Sequence, residues 1–203
     1  MHTPLKLLVV AAARDLFMSK GYEAVGMRDI ASAVGRQPVQ IYRLNLSKSD
    51  LLAEVILALN QHQIDQLPAL CAQVQGDTLL DKVASYFHAL YRLDIQFLPI
   101  RSVGAAYGWL WSAAYEEKIT QHVLTFLAPI AGWMGEHGLD DVMARCYGLW
   151  SVYYVGFRRA AVHGGNAEEC IAEIRPTLDI LLRANQGGGA GAAALNPGGT
   201  ASC

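Results

Sequence analysis

The sequence predicts an all-α protein in which three short helices form an amino-terminal unit and a long helix joins that unit to a larger helical region. Three observations lead to this prediction. Apolar residues recur at intervals of three and four, which is the spacing of one face of a helix. Alternation typical of β-strands does not extend over a useful length. Glycine or proline separates the apolar-periodic segments.

The amino-terminal segment contains three predicted helices. Apolar positions over residues 5–16 predict the first helix, which stops at the breaker Gly21. Those over residues 27–34 predict the second, and Gly35 follows where a positive φ is often needed. Pro38 suits the first position of a short third helix, because its missing N–H would be unpaired there anyway.

A long fourth helix is predicted to begin within the SKSD segment at 47–50. This segment is typical of a capping box, in which the Ser47 hydroxyl and the Asp50 carboxylate accept backbone N–H groups. Two helices about a tight turn, as predicted before residue 47, form the helix-turn-helix layout. We therefore expect one domain over residues 1–46 and a second helical domain over residues 47–185.

The remaining sequence predicts five further helices and a tail. Pro99 and the turns EHGLD and HGGN separate them, giving helices at about 78–94, 100–115, 118–136, 140–163 and 167–184. Residues 186–203 contain six glycines among 18 residues and have little to bury, so we expect this tail to be disordered.

Composition limits the classes of protein that fit. The chain is 53% hydrophobic and only 17% charged, with a mean hydropathy of +0.21, which suggests an apolar cavity or a large buried interface. The longest uncharged run in the aromatic-rich middle, residues 102–115, is 14 residues long and too short to span a bilayer. We find no signal peptide and expect a cytoplasmic protein with reduced cysteines and no membrane contact.

The net charge of −2 is distributed unevenly. Residues 1–56 contain seven Lys/Arg and five Asp/Glu, so the amino-terminal segment is mildly basic and the rest of the chain is acidic. Catalysis is not expected, because no glycine-rich phosphate loop follows a strand. The six histidines show no metal-ligand spacing, so no metal and no cofactor are predicted. They are His2, His62, His88, His122, His137 and His163.

One stretch resembles a known family. The sequence AARDLFMSKGYEAVGMRDIASAVGRQPVQIYRLNLSKSDLL contains the elements LF-x3-GY, R-D-I-A-x3-G, I-Y and S-K-x-D-L-L in register. It resembles the DNA-binding segment of the TetR family of bacterial transcriptional regulators, over about residues 8–55. This resemblance implies a homodimer that binds DNA through its amino-terminal domain and a small molecule through its carboxy-terminal domain.

The third predicted helix is then the recognition helix. If Ile41 faces the core, neighbouring side chains face base edges, where Gln can bond adenine, Arg guanine, and Val39 a thymine methyl. Tyr42 and Lys48 are expected at phosphates, Lys48 together with the free N–H groups that open the fourth helix. The predicted DNA-binding set is Arg28, Gln37, Pro38, Val39, Gln40, Tyr42, Arg43 and Lys48.

Aromatic residues concentrate in the second region. From Asp77 onward the chain contains 15 of its 18 aromatic residues. The resemblance implies a pocket here, and such pockets are typically apolar with a few polar groups; a well-packed core is the alternative. The predicted ligand-binding set is Tyr86, Phe87, Tyr91, Arg101, Tyr107, Trp109, Trp111, Tyr115 and Trp150.

The last two helices carry a ridge of mostly small side chains, which would allow another helix to approach closely. Packing within the chain could use this ridge. The resemblance instead implies homodimerisation through a four-helix interface of the last two helices, and a dimer is what lets two recognition helices read a palindrome. From the ridge we expect Gly156 in that interface. The ridge consists of Ala144, Gly148, Val152, Gly156 and Ala160.

The sequence therefore predicts a ligand-responsive DNA-binding regulator, a repressor of a palindromic operator that a small, largely apolar molecule releases. Three residues depart from the family's pattern. Gly26 stands where a hydroxyl residue is usual, Leu44 where histidine or tyrosine is common, and Asn45 where an aromatic is usual. These departures favour an alternative, a small-molecule or lipid-binding protein of the same fold that has lost specific DNA binding. An activator role also stays open.

Overall fold

The computed structural model describes residues 4–184, and the tail expected over 186–203 lies outside them. Within the described residues the protein is all-helical, which confirms the predicted fold class. A 3-10 turn at Gly108–Leu110 follows the sixth helix. The α-helices are α1 Leu5–Lys20, α2 Met27–Ala33, α3 Pro38–Tyr42, α4 Lys48–Ala72, α5 Leu79–Ile95, α6 Leu98–Tyr107, α7 Ala113–Glu136, α8 Val142–His163 and α9 Ala167–Leu182.

Local signals define the end of α2 and the starts of α3 and α4 as the sequence predicts. Gly35 has φ +62° after α2, and Pro38 opens α3. At the start of α4, the Ser47 hydroxyl accepts the N–H of Asp50 at 3.0 Å. The Asp50 carboxylate accepts the N–H of Ser47 at 2.8 Å, so both halves of the capping box are present.

The first hydrophobic cluster holds α1–α3 against the amino-terminal half of α4. Phe17, Ile30 and Ile41 contribute fully buried side chains from α1, α2 and α3. Ile100 of α6 is buried in the same cluster, so this helix packs onto the amino-terminal unit. We call α1–α3 with the start of α4 the head.

The second cluster consists of side chains from α4, α5, α7, α8 and α9. Four of the five ridge residues of α8, from Gly148 to Ala160, pack against this cluster, whereas Ala144 is exposed. A Cβ on Gly156 would lie 2.2 Å from the Tyr91 hydroxyl and 2.9 Å from the Cys170 carbonyl oxygen, and Gly148 faces Leu181. The placement of Gly156 in a subunit interface is therefore wrong, because α5 and α9 of the same chain already cover that face.

The connection between α6 and α7 also differs from the prediction. The helix predicted over 100–115 ends at Tyr107, and α7 begins at Ala113 rather than near residue 118. Trp111 and Ser112 adopt extended backbone with ψ near 155°, which interrupts the helix. Pro99 lies in the first turn of α6, where a missing N–H breaks no helical hydrogen bond.

Candidate DNA-binding surface and ligand cavity

The short helix α3 has one buried and one exposed face. Ile41 is 1% exposed and fixes the helix against the head, whereas Val39 and Tyr42 are 53% and 55% exposed. Gln37, Gln40 and Arg43 are exposed as well. The Gln40 side-chain oxygen accepts the N–H of Gln37 at 3.2 Å, so Gln40 caps the helix in this conformation. Of the other predicted DNA contacts, Arg28 is exposed and Pro38 is half-buried.

Lys48 has partners within the head. Its Nζ lies 4.2 Å from the centre of the Tyr22 ring and donates a hydrogen bond to the Glu23 carbonyl oxygen at 3.3 Å. A lysine in the first turn of a helix opposes the helix dipole. Here the contacts of Lys48 with the loop between α1 and α2 offset the unfavourable interaction with the dipole. The sequence predicted a phosphate contact for Lys48 and did not predict these contacts within the head.

Two of the atypical residues have structural explanations. Asn45 has φ +51°, a left-handed conformation that asparagine adopts more readily than an aromatic residue. Gly26 precedes α2, and its N–H donates to the Asp29 carboxylate at 2.7 Å. The start of α2 is thus capped from Asp29 without a hydroxyl at position 26.

A cavity of about 550 Å³ lies among α4, α5, α6, α7 and α8. Its walls are mainly apolar and aromatic, which is typical of small-molecule sites. Glu116 and Thr120 add polar groups from α7, and Tyr147 and Tyr154 add exposed rings from α8. The apolar wall includes Ile56, Leu90, Ile119, Val123, Leu124, Phe126, Trp150 and Phe157.

A polar network forms one end of the cavity. Arg101 donates to the side-chain oxygens of Asn60 and Gln63, the latter at 2.9 Å, and its Nε lies 3.2 Å from Asp94 Oδ1. Asp94 also accepts from Gln63 Nε2 at 2.6 Å and from the Tyr153 hydroxyl at 2.8 Å. Burial, followed by the nearby Asp94 charge, raises the pKa of Tyr153 well above its ordinary value. The two buried charges thus compensate each other.

Sequence reasoning missed Asn60 and Gln63 as members of this site. They lie three residues apart on one face of α4, within a segment whose other buried positions are apolar. A pair of polar residues on the core side of a helix is the signal that could have identified them, because such groups need partners.

The structure brings four of the nine predicted ligand residues to the cavity: Arg101, Trp109, Trp111 and Trp150. Trp109 is 92% exposed at the mouth, whereas Trp111 packs over Gly104 and Gly108. A Cβ on Gly104 would also lie 2.7 Å from Ile56, so glycine allows α6 to approach α4 closely.

The other five predicted residues do not line the cavity. Tyr86 and Phe87 are core residues of α5, as is Tyr91. The Tyr86 and Tyr91 hydroxyls donate to buried carbonyl oxygens, and burial raises the pKa of both. Tyr107 and Tyr115 instead turn towards the head, where their hydroxyls donate to Glu23 at 2.7 Å and to Glu54 at 3.0 Å.

The part of the chain that matches a known family in sequence is the head together with the following turns of α4. Residues 9–55 match the family model described as bacterial regulatory proteins, tetR family. No curated protein sequence matches the chain significantly. In the part of the chain that the structure describes, no helix is long and apolar enough to cross a membrane, and no three His, Cys, Asp or Glu side chains cluster as metal ligands.

Solved structures resemble nearly the whole chain. A transcriptional regulator from Rhodococcus sp. RHA1 is 16% identical with a TM-score of 0.66, over 88% of this chain and 96% of that one. A TetR/AcrR-family regulator from Thermobifida fusca is 18% identical with a TM-score of 0.60, over 89% and 98%. GusR of Salmonella enterica is 19% identical with a TM-score of 0.60, over 90% and 98%. Residues 9–55 therefore match the model of the tetR family of bacterial regulatory proteins, and the described helices share the fold of these solved regulators.

Proposed function

We propose that this protein is a ligand-responsive transcriptional repressor that binds a palindromic operator as a homodimer and is released by a small, largely apolar molecule. The exposed face of α3 is the observation that carries the proposal. With Ile41 buried, Val39 and Arg43 are free to meet base edges in the major groove. Gln40 would meet them once its side-chain oxygen releases the N–H of Gln37. In the domain division proposed from the sequence, the exposed face of α3 belongs to residues 1–46 and the cavity to residues 47–185.

The homodimer is proposed through α8 and α9. Beside the part of the ridge that packs inside the chain, these helices have an exposed face that includes the apolar residues Val155 and Ile180. A second copy on this face would pair the two helices with their symmetry mates and set the spacing of two recognition helices. The exposed positions are Ala144, Ser151, Val155, Arg158 and Val162 of α8, and Glu173, Pro176, Thr177 and Ile180 of α9.

Contacts of α6 support communication between cavity and head. Arg101 of α6 joins α4 and α5 at the polar end of the cavity. Less than two turns further along α6, the Tyr107 hydroxyl donates to the Glu23 carboxylate. The centre of the Tyr107 ring lies 5.2 Å from that of the Tyr22 ring in the head. A ligand that displaces α6 would thereby move the head, and couplings of this kind are typically worth about 1–3 kcal/mol.

Binding to DNA is tested by a gel-shift series at increasing salt on the DNA upstream of the protein's own gene. The wild-type protein should bind one palindrome with a strong salt dependence. Arg43→Ala should lose about 1–3 kcal/mol and relax the preference at one base pair in each half-site. Arg92→Ala, an exposed arginine of α5 far from α3, is the control and should bind normally. If Arg43→Ala loses the same affinity for all DNA sequences, Arg43 contacts a phosphate and not a base edge.

Release by a ligand is tested with apolar aromatic and acyl compounds, using tryptophan fluorescence and the gel shift together. Trp109→Phe and Trp111→Phe identify which ring reports binding. A compound that binds without releasing DNA would contradict the repressor mechanism.

The alternative function is a helical small-molecule-binding protein without specific DNA binding. The engagement of Lys48 by Tyr22 and Glu23 favours it, because this lysine is then less free to hold a phosphate. Ligand binding together with the absence of a preferred palindrome at low salt would establish this alternative.

A further inference from the structure

The cavity has an excess of negative charge. Its only guanidinium, Arg101, is already neutralised by Asp94, and among the cavity-lining residues that the structure describes no other Lys, Arg or His is present. Asp94 itself accepts from Gln63 and Tyr153, so the buried pair is enclosed in its own network. Glu116 adds a carboxylate, which leaves the lining with one uncompensated negative charge.

Glu116 is positioned to meet a ligand. It lies in the first turn of α7, is exposed, and lines the cavity. No ion pair joins it to a cation within residues 4–184. An acidic side chain in the first turn stabilises a helix, so Glu116 also has a structural role. Its neighbour Glu117 is also exposed and does not line the cavity.

Aromatic rings provide the remaining recognition surface. Trp109 is 92% exposed at the mouth. Trp150 lines the wall with its ring stacked parallel to Tyr153 at 5.2 Å, so Trp109 is the ring that offers a ligand an open face. The faces of such rings are electron-rich and attract cations, tryptophan most strongly. A ligand with a carboxylate would be repelled by the carboxylate of Glu116. Arg101 would not attract it, because Asp94 already neutralises the charge of this arginine.

Resting on the ligand site proposed above, we infer that the ligand is an aromatic or bulky apolar cation, such as a quaternary ammonium, a phosphonium or an N-alkylated heteroaromatic. Its apolar body fills the cavity and its charge lies near Glu116 and the face of Trp109. The Asp94–Arg101 network lines the polar part of the cavity and takes no ligand charge.

The test uses matched probes of opposite charge on the full chain. Tetraphenylphosphonium and tetraphenylborate have nearly the same size and shape, and 1-methylquinolinium and 1-naphthoate form a smaller pair. Binding is measured by calorimetry and tryptophan fluorescence in sodium buffer at low salt. We expect the cation of at least one pair to bind more tightly than its anionic partner.

Glu116→Gln and Glu117→Gln provide the matched control, because both remove one negative charge from adjacent exposed positions. Glu116→Gln should weaken binding of the cation about two- to fivefold, the size of a partly exposed ion pair, and narrow the difference between cation and anion. Glu117→Gln should leave both affinities nearly unchanged.

Tighter binding of the anions, or equal effects of the two variants, would overturn the inference while leaving the ligand site intact. Failure of all four probes to bind would also overturn it. The ligand site itself is decided separately by the wider screen of apolar compounds, so failure of the inference and failure of the proposed function are distinguishable.

Discussion

Lys48 shows at the scale of a single residue how a locally unfavourable choice is offset by a neighbour. The cation opposes the dipole of α4, which costs about 0.3–1 kcal/mol. Lys48 Nζ lies 4.2 Å from the centre of the Tyr22 ring and 3.3 Å from the Glu23 carbonyl oxygen. Each such contact with a cation contributes about 0.5–1 kcal/mol or more, so together they stabilise the fold by more than the dipole destabilises it.

We therefore predict that Lys48→Met lowers the free energy of unfolding by about 0.5–1 kcal/mol in the absence of DNA, since the stem is kept and the charge is lost. Urea denaturation measures this. Arg43→Ala, at an exposed position of the same head, should stay within about 0.5 kcal/mol of the wild type. An increase in stability for Lys48→Met would mean that the dipole dominates and that the contact with Tyr22 contributes little.

Gly156 is a residue whose role depends on what lies opposite it. A methyl group there would meet the Tyr91 hydroxyl at 2.2 Å and the Cys170 carbonyl oxygen at 2.9 Å. Gly156→Ala should therefore destabilise the fold by about 1–3 kcal/mol through overpacking. The control is Gly132→Ala in α7, where no atom lies within 4 Å and the change should stabilise by up to about 1 kcal/mol. Thermal unfolding of both variants checks this, and equal effects would contradict the packing between α8 and α5.

The ion pair of Asp94 and Arg101 acts at the scale of elements, because it joins α5, α6 and, through Asn60 and Gln63, α4. Their side chains are only 13% and 11% exposed, so loss of one partner leaves a buried charge without compensation. Arg101→Met should lower the free energy of unfolding by about 3 kcal/mol. The double variant Asp94→Leu/Arg101→Met should lose less than the single one, because neither charge then remains.

The pair of Asp81 and Arg175 is the control for this prediction. It also joins two helices, α5 and α9, but its side chains are 37% and 46% exposed. Arg175→Met should therefore cost no more than about 1 kcal/mol. Similar losses for Arg101→Met and Arg175→Met in urea denaturation would show that the network at the cavity is open to water and does not hold α6.

Assembly belongs to the scale of the whole molecule. If the exposed face of α8 and α9 is the subunit interface, Val155→Glu brings two carboxylates into an apolar contact and should raise the dissociation constant of the dimer at least about tenfold. Sedimentation velocity over a range of concentrations measures this. Leu110→Glu makes the same type of change at an exposed position of the α6–α7 connection and should remain dimeric. A dimeric Val155→Glu variant would locate the interface elsewhere.

The sequence by itself determined the features that depend on near neighbours in the chain. The capping box of Ser47 and Asp50, the positive φ of Gly35 and the proline opening α3 each follow from contacts within a few residues. The burial of Ile41, a condition of the sequence interpretation, is present in the structure, and the motif in the head resembles the family whose model matches residues 9–55.

Only the tertiary structure decided what covers each helical face. Periodicity groups residues onto one face but does not name the neighbouring element, so Tyr86 and Tyr91 belong to the core while Trp150 reaches the cavity. For the same reason Gly156 packs against α5 and α9, and Asn60 accepts from Arg101, which lies 41 residues further along the chain. Contacts at such separations depend on how the helices pack together, which local spacing does not contain.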